Sequence, residues 1–448
     1  MLASALNSRD EGIAARAALA IGRTKQPAGV PLLREHLVDS RDAVRAMSVY
    51  GLGVIALGTD PARIAKLAVS DSSGAVRVAA LDALGRYEAA KRLGANEMAA
   101  ERAIARAMTN DTDPIVRGRA AIALNFFAGG PAANAAASSL QRSVTAERDD
   151  YVRERAMWSI FRRYAGIVPR TLLSAHLNDA DEVVRIEAVR AFGKLKDRSA
   201  IAELQPRLAD PSWRVQEQAA ESILALEGKD LTAHWPSIPA TVHTPAPQPD
   251  RFARLPAIDA PSTGGKPAAP SPLNGGAIPL ITPRTAAAMT RPASGPHARV
   301  RIVTTKGNVY VVLYPEWAPL TTQNFLNLAS TGFYNDNRWF RIVPDFVVQT
   351  GEQDDKNQPG PGYSIGAEEN PLEQNSYVIS MGLNYDSKTN TPLRDSAGSE
   401  YYITLSPQYH LNNDFTVFGA VTSGFDVLGR LVESDKVIRV ERISDVTL

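Results

Sequence analysis

Two different spacings of apolar residues divide this chain. Through residues 1–230, Val, Ala and Leu recur at positions i, i+3, i+4 and i+7, which gathers them on one face of a helix. From residue 298 onward, apolar and polar residues alternate instead, as they do in a strand with one buried face. The pattern predicts an all-α region followed by a mainly β region.

The helical region is an internal repeat. Its units open with Asp, Ser or Pro, which favour helix starts, and successive units lie 31 to 40 residues apart, enough for two short helices each. Such a unit cannot bury its apolar face alone, so we expect the units to stack into a solenoid. The pattern resembles HEAT-like repeats of the short bacterial type. One apolar residue marks each unit, at Val44, Val76, Val116, Val152, Val184 and Val215, with Ile13 as a degenerate earlier member.

An arginine follows the marker residue in five of the units, at Arg45, Arg77, Arg117, Arg153 and Arg185. One interpretation is a row of ligand-binding cations. We favour a structural role, in which each arginine ties neighbouring units together by pairing with the preceding acidic cap. The repeats carry no recognisable chemistry, and we expect their extended concave surface to bind a protein partner.

Residues 231–297 have the composition of a connector. Fourteen of the 30 prolines of the chain lie here, among Ala, Ser, Thr and Gly. Proline lacks the amide hydrogen and fixes φ, so neither a helix nor a central strand can continue through such a segment. The sequence predicts an extended, semi-rigid Pro/Ala-rich linker between two domains.

The pattern within residues 298–448 predicts individual elements. Two alternating runs flank a Lys-Gly-Asn turn at residues 306–308, which indicates a β-hairpin. Leu320–Ser330 has helical spacing, whereas Trp339–Gln349 and Tyr401–Leu405 have the composition of strands. These elements predict a mainly β, antiparallel barrel with two helices.

Composition narrows the functional classes. The net charge of +1 creates no large electrostatic field, which argues against nucleic acid or an anionic membrane as partner. No run of about 18 apolar residues is present, so no membrane span is expected. The first residues lack the pattern of a signal peptide. Because the chain begins inside a repeat, without the capping helix that a solenoid normally needs, we expect a further repeat or a signal segment upstream.

Cysteine is absent, which excludes disulfides, thiolate metal sites and a cysteine nucleophile. A chain of this length usually has a few cysteines, so their absence favours an extracytoplasmic compartment (periplasmic or secreted) over the cytoplasm. A biased genomic composition explains it nearly as well. The six histidines are scattered and form no HExxH motif, so neither a metal site nor a cofactor is expected.

Four phrases of the C-terminal region stand in the order and spacing of a known family. They read TTKGNVYVVLYPEWAPLTTQNFLNLASTGFY, FRIVPDFVVQTG, PGPGYSIGAEENPL and AGSEYYITLSPQYHLNNDFTVFGAV. Together they resemble the cyclophilin family of peptidyl-prolyl cis/trans isomerases. The resemblance implies a cyclophilin barrel that acts on X–Pro bonds of unfolded or partly folded polypeptides. Rotation about such a bond makes and breaks no covalent bond, so it needs no metal, nucleophile or general base.

The resemblance also assigns residues to a site. Arg341 corresponds to the catalytic arginine of the family, whose permanent charge suits stabilisation of a twisted amide. Gln349 corresponds to the amide that anchors the peptide backbone, and His410 stands where many members have Trp. The other positions that match the proline pocket are Phe346 at its floor, Val347 in place of the usual Met, Tyr402 in place of a Phe, and Leu411.

Several positions depart from the family. Glu400 replaces a glutamine and brings a carboxylate near the peptide path, and Phe415 stands at the pocket edge where many members have His or Tyr. The loop over residues 382–396 is longer than in the family. The alternative function is therefore a non-catalytic scaffold with a degenerate cyclophilin domain that only binds proline-containing peptides. In a third interpretation the solenoid is the working part and the isomerase domain an accessory.

Overall fold

The computed structural model describes residues 1–228, 297–343, 346–351, 360–386, 388–389, 391–433 and 435–446. The predicted connector, apart from its last residue, lies outside these described residues. The helical region and the β region are two separate units, and each is described by itself. None of the described helices is long and apolar enough to cross a membrane.

The helical region consists of paired short helices. The even-numbered helices stack in order, α2 on α4, α4 on α6 and so on to α14, so that the buried marker valines form a continuous core. This stacking confirms the predicted solenoid. The helices are α1 (Leu2–Leu6), α2 (Glu11–Arg23), α3 (Gly29–Glu35), α4 (Asp42–Ile55), α5 (Pro61–Ser70), α6 (Gly74–Ala89), α7 (Glu97–Asn110), α8 (Pro114–Leu124), α9 (Ala133–Ala146), α10 (Asp150–Ser159), α11 (Arg170–His176), α12 (Glu182–Lys194), α13 (Ile201–Leu204) and α14 (Trp213–Glu227).

The repeated arginines join each unit to the next. Arg77 shows the pattern, because its Nε and Nη2 atoms lie 2.6 and 2.9 Å from the Asp111 carboxylate while Nη1 donates to the backbone oxygen of Asp71 at 2.8 Å. The predicted tie between units is therefore confirmed. Its carboxylate partner, however, is the acid that opens the following unit and not the preceding cap. The same tie recurs in the pairs Arg45–Asp71, Arg117–Glu147, Arg153–Asp179 and Arg185–Asp210.

Within the described residues, the series of arginine–acid pairs between units ends at the first complete unit and at the last unit. In the last unit Gln216 takes the arginine position, and its Nε2 donates to the backbone oxygen of Asp210 at 2.6 Å. An uncharged amide keeps the bond within the unit without offering an ion pair to a further unit. In the first complete unit the Asp39 carboxylate is held by its own neighbour Arg41, whose hydrogen bonds lower the pKa of Asp39 far below its usual range.

The β region is one eight-stranded antiparallel sheet with the order β3-β4-β6-β5-β7-β2-β1-β8. A β-bridge between Arg338 and Lys436 joins the two edges, which curls the sheet into the predicted barrel. The elements are β1 (His297–Thr304), β2 (Gly307–Leu313), α15 (Pro319–Ser330), β3 (Arg341–Val343), β4 (Val347–Thr350), β5 (Val378–Met381), β6 (Tyr401–Thr404), β7 (Val417–Ser423), α16 (Phe425–Gly429) and β8 (Val437–Val446).

The prediction of a single strand over Trp339–Gln349 is wrong. This segment contains two short strands, β3 and β4, which pair with each other as an antiparallel hairpin. A Pro-Asp pair separates them in the sequence, and both residue types favour turns, while proline cannot donate to a strand ladder. The correction matters for function because it sets the two ends of this phrase side by side.

Aromatic side chains fill the core between α15 and the sheet. The Phe325 ring is fully buried, and its centroid lies 5.2 Å from that of Tyr334 and 5.4 Å from those of Tyr401 and Phe418. Tyr401 also contacts the buried ring of Trp339 edge-on. Strand β6 therefore has two buried faces, with Tyr401 on the core side and its neighbour Tyr402 on the opposite side, where the candidate site lies.

Candidate active site

Four neighbouring strands place a row of side chains on one face of the sheet. Strand pairing sets Arg341 opposite Gln349, Gln349 opposite Tyr402, and Tyr402 opposite Ser380. Side chains that are paired across antiparallel strands point to the same face. Residues eight and more than fifty positions apart in the sequence thus form a continuous surface, which the hairpin of β3 and β4 extends to Arg341.

The Arg341 guanidinium is held at the exposed end of this row. Its Nη1 atom donates to Oε1 of Gln349 at 3.0 Å, and its carbon centre lies 5.3 Å from the centroid of the Phe346 ring. A planar cation over an aromatic face is a favourable electrostatic contact. The Arg341 side chain is exposed, so the guanidinium can reach a bound molecule without a change in the fold.

Aromatic and aliphatic side chains form the pocket beside the guanidinium. The Phe346 ring stacks on His410 with centroids 6.0 Å apart, and the Tyr402 ring meets Phe415 edge-on at 5.8 Å. Tyr402 and Phe415 are buried, and burial raises the pKa of Tyr402 well above its usual value, so the phenol stays neutral. Two further predicted residues belong to the same region. Leu411 lies in the same short turn as His410, and Val347 is buried on the face of β4 that carries Gln349.

Glu400 extends the row away from the pocket. Its Oε1 atom accepts a hydrogen bond from Nε2 of Gln349, whose Oε1 in turn accepts from Arg341. The two charged neighbours thus fix which way the Gln349 amide points. The substitution that sets this chain apart from the family therefore orients a site residue. Glu400 also lines a cavity of about 380 Å³ whose walls come from residues 360–364, 382–384, 395–396 and 398–400.

A glycine allows this arrangement to form. Gly351 ends the hairpin phrase with φ of 104°, and a Cβ atom there would come within 2.3 Å of the Ser399 backbone oxygen. Both the positive φ and the lack of space exclude a larger residue. The close approach brings the segment that carries Glu400 against the end of β4, within reach of Gln349.

Sequence reasoning missed Tyr385. The longer loop folds as a hairpin arm, with Asp386 bonded to Thr391 and Leu393 to Asn384 through the backbone. The arm brings the Tyr385 ring to 6.3 Å from Phe415, on the pocket rim. Partial burial and the charge of Asp414 raise the pKa of Tyr385, while the charge of Arg341 acts in the opposite direction. An aromatic residue inside an unaligned insertion was the only signal in the sequence.

The arm is anchored at its base by a charged residue. Arg394 pairs with the buried carboxylate of Glu369, and its Nη2 lies 3.0 Å from Oδ1 of Asp414. A guanidinium between two carboxylates fixes the exit of the arm from the barrel. Tyr385 therefore occupies a defined place at the pocket rim, although the loop is an insertion.

The assembled site suits binding and polarisation of an amide. It has an apolar pocket, a fixed cation at its mouth and an oriented amide beside that cation. Within the part of the chain that the structure describes, no group of three His, Asp or Glu side chains is placed to hold a metal ion. The residues predicted for the site are brought together here, and the chemistry that Arg341 and Gln349 offer is electrostatic stabilisation.

We expect that Glu400 can be exchanged for glutamine but not for leucine. The glutamine carbonyl still accepts a bond from the Gln349 amide, so Glu400→Gln should keep turnover of a proline peptide within about 3-fold of the parent. Glu400→Leu removes the acceptor and frees the amide to flip, which should lower kcat/KM about 10-fold, the effect of one lost hydrogen bond to a charged group. A protease-coupled assay measures both, and equal activity of the two variants would contradict the orienting role.

Comparison with known proteins identifies both regions. Residues 299–447 match the family described as cyclophilin type peptidyl-prolyl cis-trans isomerase/CLD. Residues 1–85, 61–160 and 169–233 match the family of HEAT repeats. The first match covers the barrel from the third residue of β1 onward, together with the site described above, and the second covers the stacked helices.

Curated relatives match the C-terminal region. The chain is 39% identical over 133 residues to peptidyl-prolyl cis-trans isomerase B of Bacillus subtilis, a match that covers 29% of this chain and 87% of that protein. It is 38% identical over 128 residues to peptidyl-prolyl cis-trans isomerase-like 1 of Aspergillus niger, covering 29% and 77%. A peptidyl-prolyl cis-trans isomerase of Helicobacter pylori is 34% identical over 142 residues, covering 31% and 82%.

Proposed function

Because the C-terminal domain of this chain belongs to the cyclophilin family of peptidyl-prolyl cis/trans isomerases, we propose that Arg341 is the residue that accelerates rotation of the X–Pro bond. The observation that carries the proposal is the placement of its guanidinium beside Gln349 and over Phe346. The barrier to rotation, roughly 20 kcal/mol, comes from loss of amide resonance. As the bond twists, the proline nitrogen regains a lone pair, and a fixed cation stabilises that form more than the planar amide.

The remaining site residues hold the substrate for this step. The proline ring of the client occupies the apolar pocket of Phe346, Tyr402 and Phe415, which restrains one side of the bond. The Gln349 amide, oriented by Glu400, hydrogen-bonds the peptide backbone on the other side. Restraint of both sides lets the twist concentrate in the single bond between them.

We further propose that the enzyme acts as a folding catalyst on proline-containing polypeptides, with the solenoid as a scaffold for a partner or client. X–Pro isomerisation takes tens to hundreds of seconds without a catalyst and limits the folding of many chains. The Arg341 side chain is exposed and the pocket opens to the surface, which suits an extended polypeptide as substrate.

A refolding experiment tests the folding role. We expect the full chain to accelerate the slow, proline-limited refolding phase of a small protein with a native cis-proline, and to leave unchanged the refolding of a variant of that protein without the proline. Turnover of a short proline peptide by the same preparation serves as the control for an active site. Peptide turnover without any effect on refolding would restrict the function to short or exposed segments.

A further inference from the structure

One irregularity of the helical region lies at the end of α10. Residues Ile160–Tyr164 continue that helix as a π-helix. A π turn fits an extra residue into the helix at a cost in hydrogen-bond geometry, and such turns are found frequently at functional sites. Here the turn carries Phe161 and Arg162, both partly exposed, and the exposed Arg163.

Three cations gather around the Phe161 ring. The guanidinium of Arg162 lies 6.0 Å from the ring centroid, that of Arg190 lies 5.4 Å away, and Nζ of Lys194 lies 5.4 Å away. The last two residues belong to α12 of the next unit. We refer to the Phe161 cluster as the set Phe161, Arg162, Arg163, Arg190 and Lys194.

The cluster holds more positive than negative charge. Arg190 bonds Glu187 at 3.2 Å and Gln218 at 3.0 Å. In the described portion of the chain, by contrast, no carboxylate lies within ion-pair distance of Arg162, Arg163 or Lys194, and Lys194 donates to the backbone oxygen of Arg162. The repeated arginines of the same region are each paired with an acid.

Keeping these charges together lowers the stability of the protein when no partner is bound. Burial, followed by the charge of Arg162 and Arg163, lowers the pKa of Lys194, and burial followed by Arg163 lowers that of Arg162. A lowered pKa of a cation means that its charged form is less stable in the folded protein than in water. An anion from outside would remove this cost, whereas a purely structural role would not explain it.

We propose that the Phe161 cluster docks an acidic segment of a protein partner. Carboxylates of the segment would lie among Arg162, Arg163 and Lys194, and its apolar side chains would contact Phe161 and Ile167, which is 44% exposed just after the π turn. Nucleic acid is disfavoured because it needs an extended basic surface, and the other repeated cations are already paired. A short segment with a few carboxylates matches the size of the excess charge.

A binding experiment with a matched control tests this site. The probe is a fluorescein-labelled peptide of alternating Glu and Leu residues, titrated with the full chain and followed by anisotropy. The double variant Arg162→Met and Lys194→Met keeps the apolar stems but removes two charges, and it should bind at least about 10-fold more weakly. The control, Lys66→Met with Arg102→Met, removes the same charge from exposed positions on α5 and α7 and should bind as the parent does.

The proposal would be overturned by no binding of the acidic peptide to the parent, by an equal loss of affinity in both double variants, or by complete displacement of the peptide by millimolar inorganic phosphate, which would mean that the cluster binds any small anion. A peptide with Gln in place of Glu should bind the parent weakly.

The stability of the double variant separates binding from a structural role. Unfolding of the Arg162→Met and Lys194→Met variant should occur at the same temperature as in the parent or higher, and a clear decrease in that temperature would instead assign the cluster a structural role. Turnover of proline peptides should not change, so failure here leaves the active-site assignment intact.

Discussion

Replacement of Arg341 by alanine is expected to lower kcat/KM for a proline peptide by about 30- to 1000-fold. The guanidinium makes a charge-assisted contact that strengthens as the amide twists, and loss of such a contact is worth about 2–4 kcal/mol. Because the effect arises in the transition state, binding of the ground-state peptide should change little. The protease-coupled assay gives kcat/KM, and titration with a slowly isomerising peptide gives the affinity.

Two further variants make this result specific. Arg341→Lys should recover little activity, because a point-like ammonium cannot hold Gln349 and cover Phe346 at once. Arg299→Ala is the matched control, since its guanidinium also lies over an aromatic ring, 5.2 Å from the Tyr310 centroid, but on β1. It should retain full activity. A folded Arg341→Ala protein with the turnover of the parent would show that another group stabilises the twisted amide.

Replacement of Phe325 by alanine is expected to destabilise the β domain by about 3–5 kcal/mol, the usual cost of removing a buried phenyl ring. The cost is large here because three rings, those of Tyr334, Tyr401 and Phe418, lose their shared partner at once. The corresponding decrease in melting temperature is about 10 °C for a domain of this size. Hydrogen exchange in β1 and β2 reports the free energy of unfolding of this domain without interference from the solenoid.

The neighbouring residue on α15 provides the control. Leu326 is only partly buried, so Leu326→Ala should cost about 1 kcal/mol. Well below the melting temperature, Phe325→Ala should isomerise peptides as the parent does, because the ring lies on the core side of β6 and not in the pocket. Equal exchange rates in the two variants would mean that the aromatic core is not the centre of stability.

Much of this fold could be predicted from the sequence because its signals are local. A helical stripe that recurs every 31 to 40 residues indicates stacked helix pairs wherever it occurs. The residues of the pocket were found through phrases that keep their order and spacing. The connector prediction rests on proline content alone and falls outside the described residues.

What the sequence could not predict depends on contacts between distant segments. The alternation of Trp339–Gln349 is consistent with one long strand, and only pairing between β3 and β4 distinguishes a hairpin from it. The direction of the arginine ties is decided by how units stack, since an acid opens both the arginine's own unit and the following unit. The place of Tyr385 follows from a hairpin arm whose anchor, Arg394, pairs with residues outside the insertion.

The arginine ties have a consequence for how this protein can change in evolution. The four inner units, which open at Asp71, Asp111, Glu147 and Asp179, each carry an arginine six residues after the opening acid. Each of these units therefore presents the same acceptor to its predecessor and the same donor to its successor. A tandem duplication or deletion of one of these inner units would therefore leave complementary ends on both sides. The array can lengthen or shorten in single steps without any compensating substitution, and selection could adjust its reach while the isomerase barrel remains untouched.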